Sequence, residues 1–323
     1  MKKYRWGIIG CGDVTERKSG PAYQQTEHFE LHAVMRRNLE KAADYAKRHR
    51  VAKFYNDADT LISNPEIDAI YIATPPDSHM FYALKVAAAG KPCCIEKPMA
   101  TSYAECIAIE KAFQKKQLPL FVAYYRRSLP RFLKVKEWID QEKIGDIRHI
   151  NYIYTRTASA QDLSGEYNWR TDKKIAYGGY FDDLASHAID LFSFFFGTIS
   201  QANGISINQQ GLYTAKDAIV GNWLHSSGVT GSGTWNFGAN TRTDKVEIIG
   251  SKGRIEFSVF NDESIVLKRK GELETLFIEN PDPIQLYHVK NIEKQLCKGE
   301  MHPSTGTTAL NSSWVMDKIL GKI

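Results

Sequence analysis

The sequence has no even set of cysteines, no long apolar run and no strong excess of one charge. Five cysteines (Cys11, Cys93, Cys94, Cys106 and Cys297) occur in 323 residues, without a C-x-x-C spacing or a Cys/His pairing. A disulfide framework and a structural zinc site are therefore not expected. The densest apolar stretch, Leu191-Phe192 followed by Phe194-Phe195-Phe196, falls far short of the roughly 18 apolar residues a membrane span needs. The start, Met1-Lys2-Lys3 before an apolar run, has the charge of an export signal. That run is short and ends in Gly10-Cys11-Gly12-Asp13, so a cytoplasmic protein without membrane partners is expected. Internal repeats and low-complexity linkers are also missing.

What is present describes an ordinary globular chain: 43% hydrophobic, 24% charged, net charge +5. Its length favours two domains over one core. The charge is uneven: residues 1–53 hold 12 Lys and Arg against 6 Asp and Glu, whereas residues 124–323 hold 24 against 23. With no basic stripe, nucleic acid is not an expected partner. The N-terminal excess is either a solvated helical face or an anion site.

Residues 1–123 alternate short apolar runs (4–9, 30–36, 69–73, 93–96 and 120–123) with helical patterns (39–49, 78–89 and 103–116). This grammar predicts βαβ units: a doubly wound parallel sheet, with its ligand crevice at the carboxyl ends of the strands. From residue 124 the grammar changes. A helix over 131–141 precedes strand-like runs at 148–157, 219–224, 231–237, 245–249, 254–258, 264–268 and 275–278. Late helices are expected over 285–298 and 307–320. The expected fold is α/β: a Rossmann domain over 1–123, then an α+β domain over 124–323 with a large, mostly antiparallel open sheet.

Chemistry-bearing residues cluster at the ends of the predicted parallel strands. Gly10 permits a tight strand-to-helix turn, and Gly12 lets the backbone at Asp13 and Val14 approach a pyrophosphate. The second strand ends in Arg36-Arg37-Asn38, with no acid where a ribose-binding carboxylate usually stands. Guanidinium groups suit a 2′-phosphate, so NADP(H) is favoured and NAD(H) is the alternative. Thr74-Pro75-Pro76-Asp77-Ser78-His79 follows the next long strand, and Ser78 or Asp77 is expected to cap the following helix. Thr74, Pro75 and His79 thus border the expected cofactor crevice. Glu96-Lys97-Pro98 ends another strand at the same rim. A partly desolvated Lys97 can donate a proton or polarise an oxygen, or it can form a plain strand-end pair with Glu96.

On a helix, Asp183, His187 and Asp190 share one face, opposite Leu184, Ala188, Leu191 and Phe195. A histidine flanked by carboxylates serves as a general acid/base. The same spacing admits a metal site or a surface salt-bridge face, and no resident metal is the expectation.

In order and approximate spacing, Gly10-x-Gly12, Thr74-Pro75-x-x-x-His79, Glu96-Lys97-Pro98 and Asp183-x-x-x-His187-x-x-Asp190 resemble the Gfo/Idh/MocA family of NAD(P)-dependent oxidoreductases. Arg242-Thr243-Asp244 through Gly253 resembles its late strand pair, so the likeness spans nearly the whole chain. The resemblance implies catalytic roles for Lys97, Asp183 and His187. It also implies Trp169-Arg170 beside nicotinamide and substrate, Tyr125-Arg126 as another pocket wall, and dimers or tetramers built through the open sheet. Two departures stand out: Thr15 at the third small position, and the missing second-strand acid. The implied activity is hydride transfer to or from a CH–OH carbon of a sugar, cyclitol or diol. NAD-dependent glycoside hydrolysis and non-catalytic NADP(H) sensing are the alternatives.

Overall fold

The computed structural model describes residues 3–323. The chain forms two compact units: residues up to Leu129 with Pro281–Leu310, and Pro130–Asn280 with Asn311–Ile323. Among the described residues no helix is long and apolar enough to cross a membrane.

In the first unit the apolar runs become six strands: β1 (Tyr4–Ile9), β2 (Phe29–Met35), β3 (Lys53–Tyr55), β4 (Ala69–Ile72), β5 (Cys93–Ile95) and β6 (Leu120–Val122). They pair in parallel in the order β3-β2-β1-β4-β5-β6. The order reverses between β1 and β4, which is where such sheets open a crevice. Successive β1 side chains serve opposite faces. Trp6 and Ile8 pack with Tyr23, Phe29 and Tyr71, whereas Ile9 joins Ile70, Ile72 and Leu61. Both faces are covered, so the strands read as continuous apolar runs.

The segment Pro281–Leu310 departs from the expected boundary at 123/124. Helix Leu286–Lys298 puts Val289 and Ile292 into the Trp6 cluster. Ser304 Oγ donates to the Val122 carbonyl at 2.8 Å, and Gln285 Nε2 donates to Glu96 at 2.9 Å. These are long-range contacts that local patterning does not encode. β3 was also missed; only three residues long, it lacks a readable alternation.

The helix after β1 differs too. Asp13–Arg17 is a single short helix, followed by another over Gly20–Gln24. Pro21 sits in the first turn of the second, where its missing N–H costs nothing.

The second unit holds eight strands: β7 (Ile147–Thr155), β8 (Ile199–Ile207), β9 (Ala218–His225), β10 (Thr230–Asn236), β11 (Thr243–Gly250), β12 (Gly253–Phe257), β13 (Ile265–Arg269) and β14 (Glu272–Leu276). Their order is β14-β13-β12-β11-β7-β10-β9-β8, antiparallel except for the β7–β10 pair. β8 was not anticipated, because Ser200, Gln201 and Asn203 interrupt its apolar pattern at the sheet edge. β14 begins three residues before the expected 275.

One face of this sheet packs on helix Tyr180–Phe196. Phe181 meets Trp235 edge-on at 4.9 Å, and Phe192 stacks on Trp223 at 5.8 Å. Gly231 makes room for this, since a Cβ there would stand 2.1 Å from the Trp223 indole. The opposite face is open. Across it run Ile205 (71% exposed), Val220 (53%), Thr234 and Ile153 (38%), in register.

Candidate active site

The first unit gathers its predicted residues along the carboxyl edge of the parallel sheet. Gly10 has φ +92°, and a Cβ on it would lie 2.7 Å from Thr74 Cγ2. The turn after β1 therefore presses on the loop after β4, and only glycine fits. At Gly12 a Cβ would meet nothing nearer than the Gly10 carbonyl oxygen at 3.9 Å, so the space before it is open. Gly12 is also the N-cap of Asp13–Arg17, and no side chain caps that end. The first-turn N–H groups at Asp13 and Val14 have no intrahelical acceptor, and a phosphate suits them. Thr15, at the departing third position, is buried and donates its hydroxyl to the Gly12 carbonyl at 2.7 Å. The substitution thus ties the turn down from within.

Arg36 borders the same turn. Its Nη1 lies 3.4 Å from the Cys11 carbonyl oxygen, and the residue is half-buried. Arg37 is exposed beside it. Asn38 caps helix Leu39–His49 by accepting from Lys41 N–H. The donor set of glycine-turn amides and a guanidinium fits a dinucleotide phosphate.

Two expected residues turn inward instead. His79 is fully buried, with Nε2 2.7 Å from the Thr74 carbonyl and Nδ1 3.1 Å from that of Pro98. Burial holds its pKa below the ordinary range, and the ring sits between the carbonyls of two rim loops, donating to one of them when neutral. The Glu96 carboxylate accepts from Tyr71 Oη at 2.6 Å, from Gln285 and from the Lys97 N–H. It fixes the backbone from which the half-buried Lys97 side chain leaves. Ser78 does not cap the following helix; its hydroxyl donates to the Pro75 carbonyl and lies 2.7 Å from the Thr74 hydroxyl, from which it accepts, because a 3-10 turn over Pro76–Ser78 intervenes. Pro75 is exposed at the rim. Tyr125 and Arg126 are buried in a 3-10 turn, the guanidinium 4.9 Å over the ring.

The second unit contributes helix Tyr180–Phe196 and the turn Trp169–Thr171. Arg170 Nε donates to Asp183 Oδ2 at 2.8 Å, and its guanidinium lies 4.3 Å over the Trp169 ring. One helical turn on, His187 is 4% exposed and meets Phe260 edge-on at 5.8 Å. Asp190 is 1% exposed and accepts from Ser312 Oγ. His187 and Asp190 are thus withdrawn from any surface salt-bridge face, and only Asp183 of the three is in a part-exposed ion pair. Asp182 accepts from Gly178 N–H at 2.9 Å and is pushed up to about 6 by burial. Among the described residues, no three His, Cys, Asp or Glu side chains converge as a metal-ligand set.

Comparison with known proteins agrees with this layout. Residues 4–124 match the model of an oxidoreductase family with an NAD-binding Rossmann fold, and residues 132–256 match the GFO/IDH/MocA C-terminal domain. "Oxidoreductase P35" of Formosa agariphila is 38% identical over 320 residues, 99% of both chains. The chain belongs to the Gfo/Idh/MocA oxidoreductase family. The expectation of an NAD(P)-dependent dehydrogenase or reductase therefore holds. Among other members, scyllo-inositol 2-dehydrogenase (NADP(+)) IolU of Bacillus subtilis is 25% identical, over 97% of this chain and 95% of its own. The fold also matches that of levoglucosan dehydrogenase in complex with NADH and levoglucosan. Its TM-score is 0.86 at 22% identity, over 98% and 96% of the two chains.

Sequence reasoning missed Asn168 and Asp162, which both hydrogen-bond to Tyr180 behind Arg170. The only readable signal was Ser159-x-x-Asp162, which forms a capping box on helix Ala160–Ser164.

Proposed function

We propose that this family member transfers hydride between a nicotinamide and the CH–OH carbon of a sugar, cyclitol or related diol, with NADP(H) preferred. The reading rests above all on the Asp183–His187 turn: an arginine-paired carboxylate one helical turn from a buried histidine. Relatives named for scyllo-inositol and levoglucosan support the substrate class.

When bound, the nicotinamide supplies a hydride donor or acceptor; the chain supplies binding, orientation and proton handling. Gly10, Gly12 and the amides of Asp13 and Val14 take the pyrophosphate, while Arg36 and Arg37 take the 2′-phosphate. Thr74 and Pro75 border the dinucleotide, and Trp169, Arg170, Tyr125 and Arg126 bound the nicotinamide and substrate. In the oxidative direction His187 accepts the hydroxyl proton as the C–H electron pair leaves. Lys97 hydrogen-bonds the same oxygen and stabilises its developing charge. Asp183 orients the substrate and balances the imidazolium charge.

A screen with NADP+ and NAD+ across sugars, inositols and trans-dihydrodiols tests the reading by absorbance of the reduced cofactor. Sugar cleavage without net reduction would point to hydrolysis, and cofactor binding without turnover to a sensor. Arg36→Ala is expected to weaken NADPH by about 10–100-fold, matching the roughly 1.5–3 kcal/mol of a charged hydrogen bond, while NADH binding barely changes. Fluorescence titration measures both, and a wild-type preference for NADH removes the phosphate role.

We also propose that copies associate through the open sheet face in the cytoplasm, where the five free cysteines stay reduced. Val220→Lys puts a charge at the centre of the Ile205–Val220–Thr234–Ile153 row. Light scattering is expected to show an oligomer for the wild type and a monomer for the variant; a wild-type monomer overturns this.

A further inference from the structure

Arg170 is 39% exposed along its side chain, yet it makes a 2.8 Å contact with Asp183. An arginine on a short turn has many rotamers, and exposed ion pairs contribute little unless their geometry is fixed. Here it is fixed from behind. Asn168 Oδ1 accepts from the Arg170 backbone N–H at 3.1 Å, and Asn168 Nδ2 donates to Tyr180 Oη at 3.0 Å. Tyr180 Oη in turn donates to Asp162 Oδ1 at 2.6 Å. Asp162 Oδ2 accepts from Ser159 N–H at 2.8 Å and lies 3.4 Å from Arg156, whose guanidinium sits 3.8 Å over the Tyr180 ring.

The chain has one permitted polarity. An ionised carboxylate only accepts, so the Tyr180 hydroxyl must donate to Asp162. Its lone pairs then face Asn168, which must present its NH2 end there. That leaves the Asn168 carbonyl oxygen pointing at the Arg170 N–H. Asp162 is suited to anchor the series because its side chain is 1% exposed. Burial opposes its charge, but the Tyr180 and Ser159 hydrogen bonds and Arg156 outweigh that and keep its carboxyl below the ordinary range.

We propose that Asp162, Tyr180 and Asn168 are positioning residues that hold the Arg170 turn so that its guanidinium stays on Asp183. The inference rests on the role proposed above for Asp183. Tyr180→Phe keeps the ring under Arg156 and removes only the hydroxyl. On the full-length protein, the Arg170 Nε–H resonance, assigned through Arg170→Lys, is expected to exchange with water about tenfold faster in Tyr180→Phe. With NADP+ and the polyol of highest turnover, kcat is expected to fall about tenfold while the cofactor KM stays within about twofold. In an Asp183→Asn background the added Tyr180→Phe change is expected to cost nothing further, because coupled residues are not additive.

Unchanged Arg170 exchange with full kcat in Tyr180→Phe overturns the inference. So does an equal loss of kcat in the Asp183→Asn background, which marks a purely structural effect. Asn168→Asp, which keeps the acceptor and loses the donor, reads the same quantities if Tyr180→Phe does not fold. Wild-type turnover in Asp183→Asn alone overturns instead the function proposed for that carboxylate.

Discussion

Replacing His187 with alanine is expected to lower kcat by about 10²–10⁴-fold at saturating substrate, a loss of roughly 3–5 kcal/mol of transition-state stabilisation. The side chain is 4% exposed and rests edge-on against Phe260, so its ring is held in place before any substrate arrives. A positioned imidazole moves a proton at neutral pH without a large driving-force penalty, and bulk water does not replace it in an enclosed site. The cofactor KM should change little, because the amides and guanidinium groups proposed for the dinucleotide are elsewhere in the chain. Steady-state kinetics on the purified variant make the test. Near-normal turnover sinks the acid/base assignment and leaves Lys97 as the remaining proton-handling candidate.

The second large effect is on stability. Asp244→Ala is expected to destabilise the protein by about 4 kcal/mol, since it strips several buried donors of their acceptor at once. The carboxylate accepts from the backbone N–H groups of Val259 (3.0 Å), Phe260 (2.6 Å) and Asn261 (3.1 Å), and from Tyr152 Oη at 3.2 Å. Arg131 holds the same turn from its other side, donating to the carbonyls of Ser258 and Asn261. With its N–H anchor gone the turn loosens, and Phe260 no longer braces His187. Melting should therefore drop by roughly 10 °C, with a fall in kcat measured well below the melting temperature. A variant melting within about 2 °C of wild type would refute the anchor.

Much of this protein is legible in its sequence. Strands β1, β2, β4, β5 and β6 are short apolar runs between helical periods, and each formed close to where the pattern put it. β1 and β4 are buried on both faces, which is why no alternation was needed to find them. The glycine turn was readable because Gly10 must take φ +92°, a local demand written in one residue. Arg36-Arg37 was readable for a similar reason: the chemistry lies in the side chain, and β2 delivers it to the edge of the sheet. By contrast, β8 is a polar edge strand, and what pairs it is the neighbouring β9. The three polar residues near its start carry no information about that partner.

The residues around the candidate site divide along the same line. Asp183, His187 and Asp190 lie on one helix, so their spacing alone told that they share a face. Whether that face meets water depends on what packs against it. Here Phe260 and Ser312 enclose it, and neither is near the helix in sequence. Thr74 and His79 were placed together by adjacency, but the direction of the histidine was not. Pro98, 19 residues away, places its carbonyl oxygen 3.1 Å from Nδ1 and holds the ring inward. Glu96 follows the same rule, since Tyr71 and Gln285 approach it across the sheet and take its oxygens.

By itself, then, the sequence determined what depends on local backbone preference and side-chain period. That includes the parallel and antiparallel halves, the glycine turn, the basic end of β2, and the helix carrying Asp183 and His187. Tertiary structure alone decided which polar groups are buried and what they bind. It recruited Pro281–Leu310 to the first unit through Val289 and Ile292, turned His79 and Glu96 into supports, and set Asp162, Tyr180 and Asn168 behind Arg170. The physical reason is one of range. Propensity and periodicity act over a few residues, whereas burying a charge or a hydrogen-bond donor requires partners supplied from distant parts of the chain.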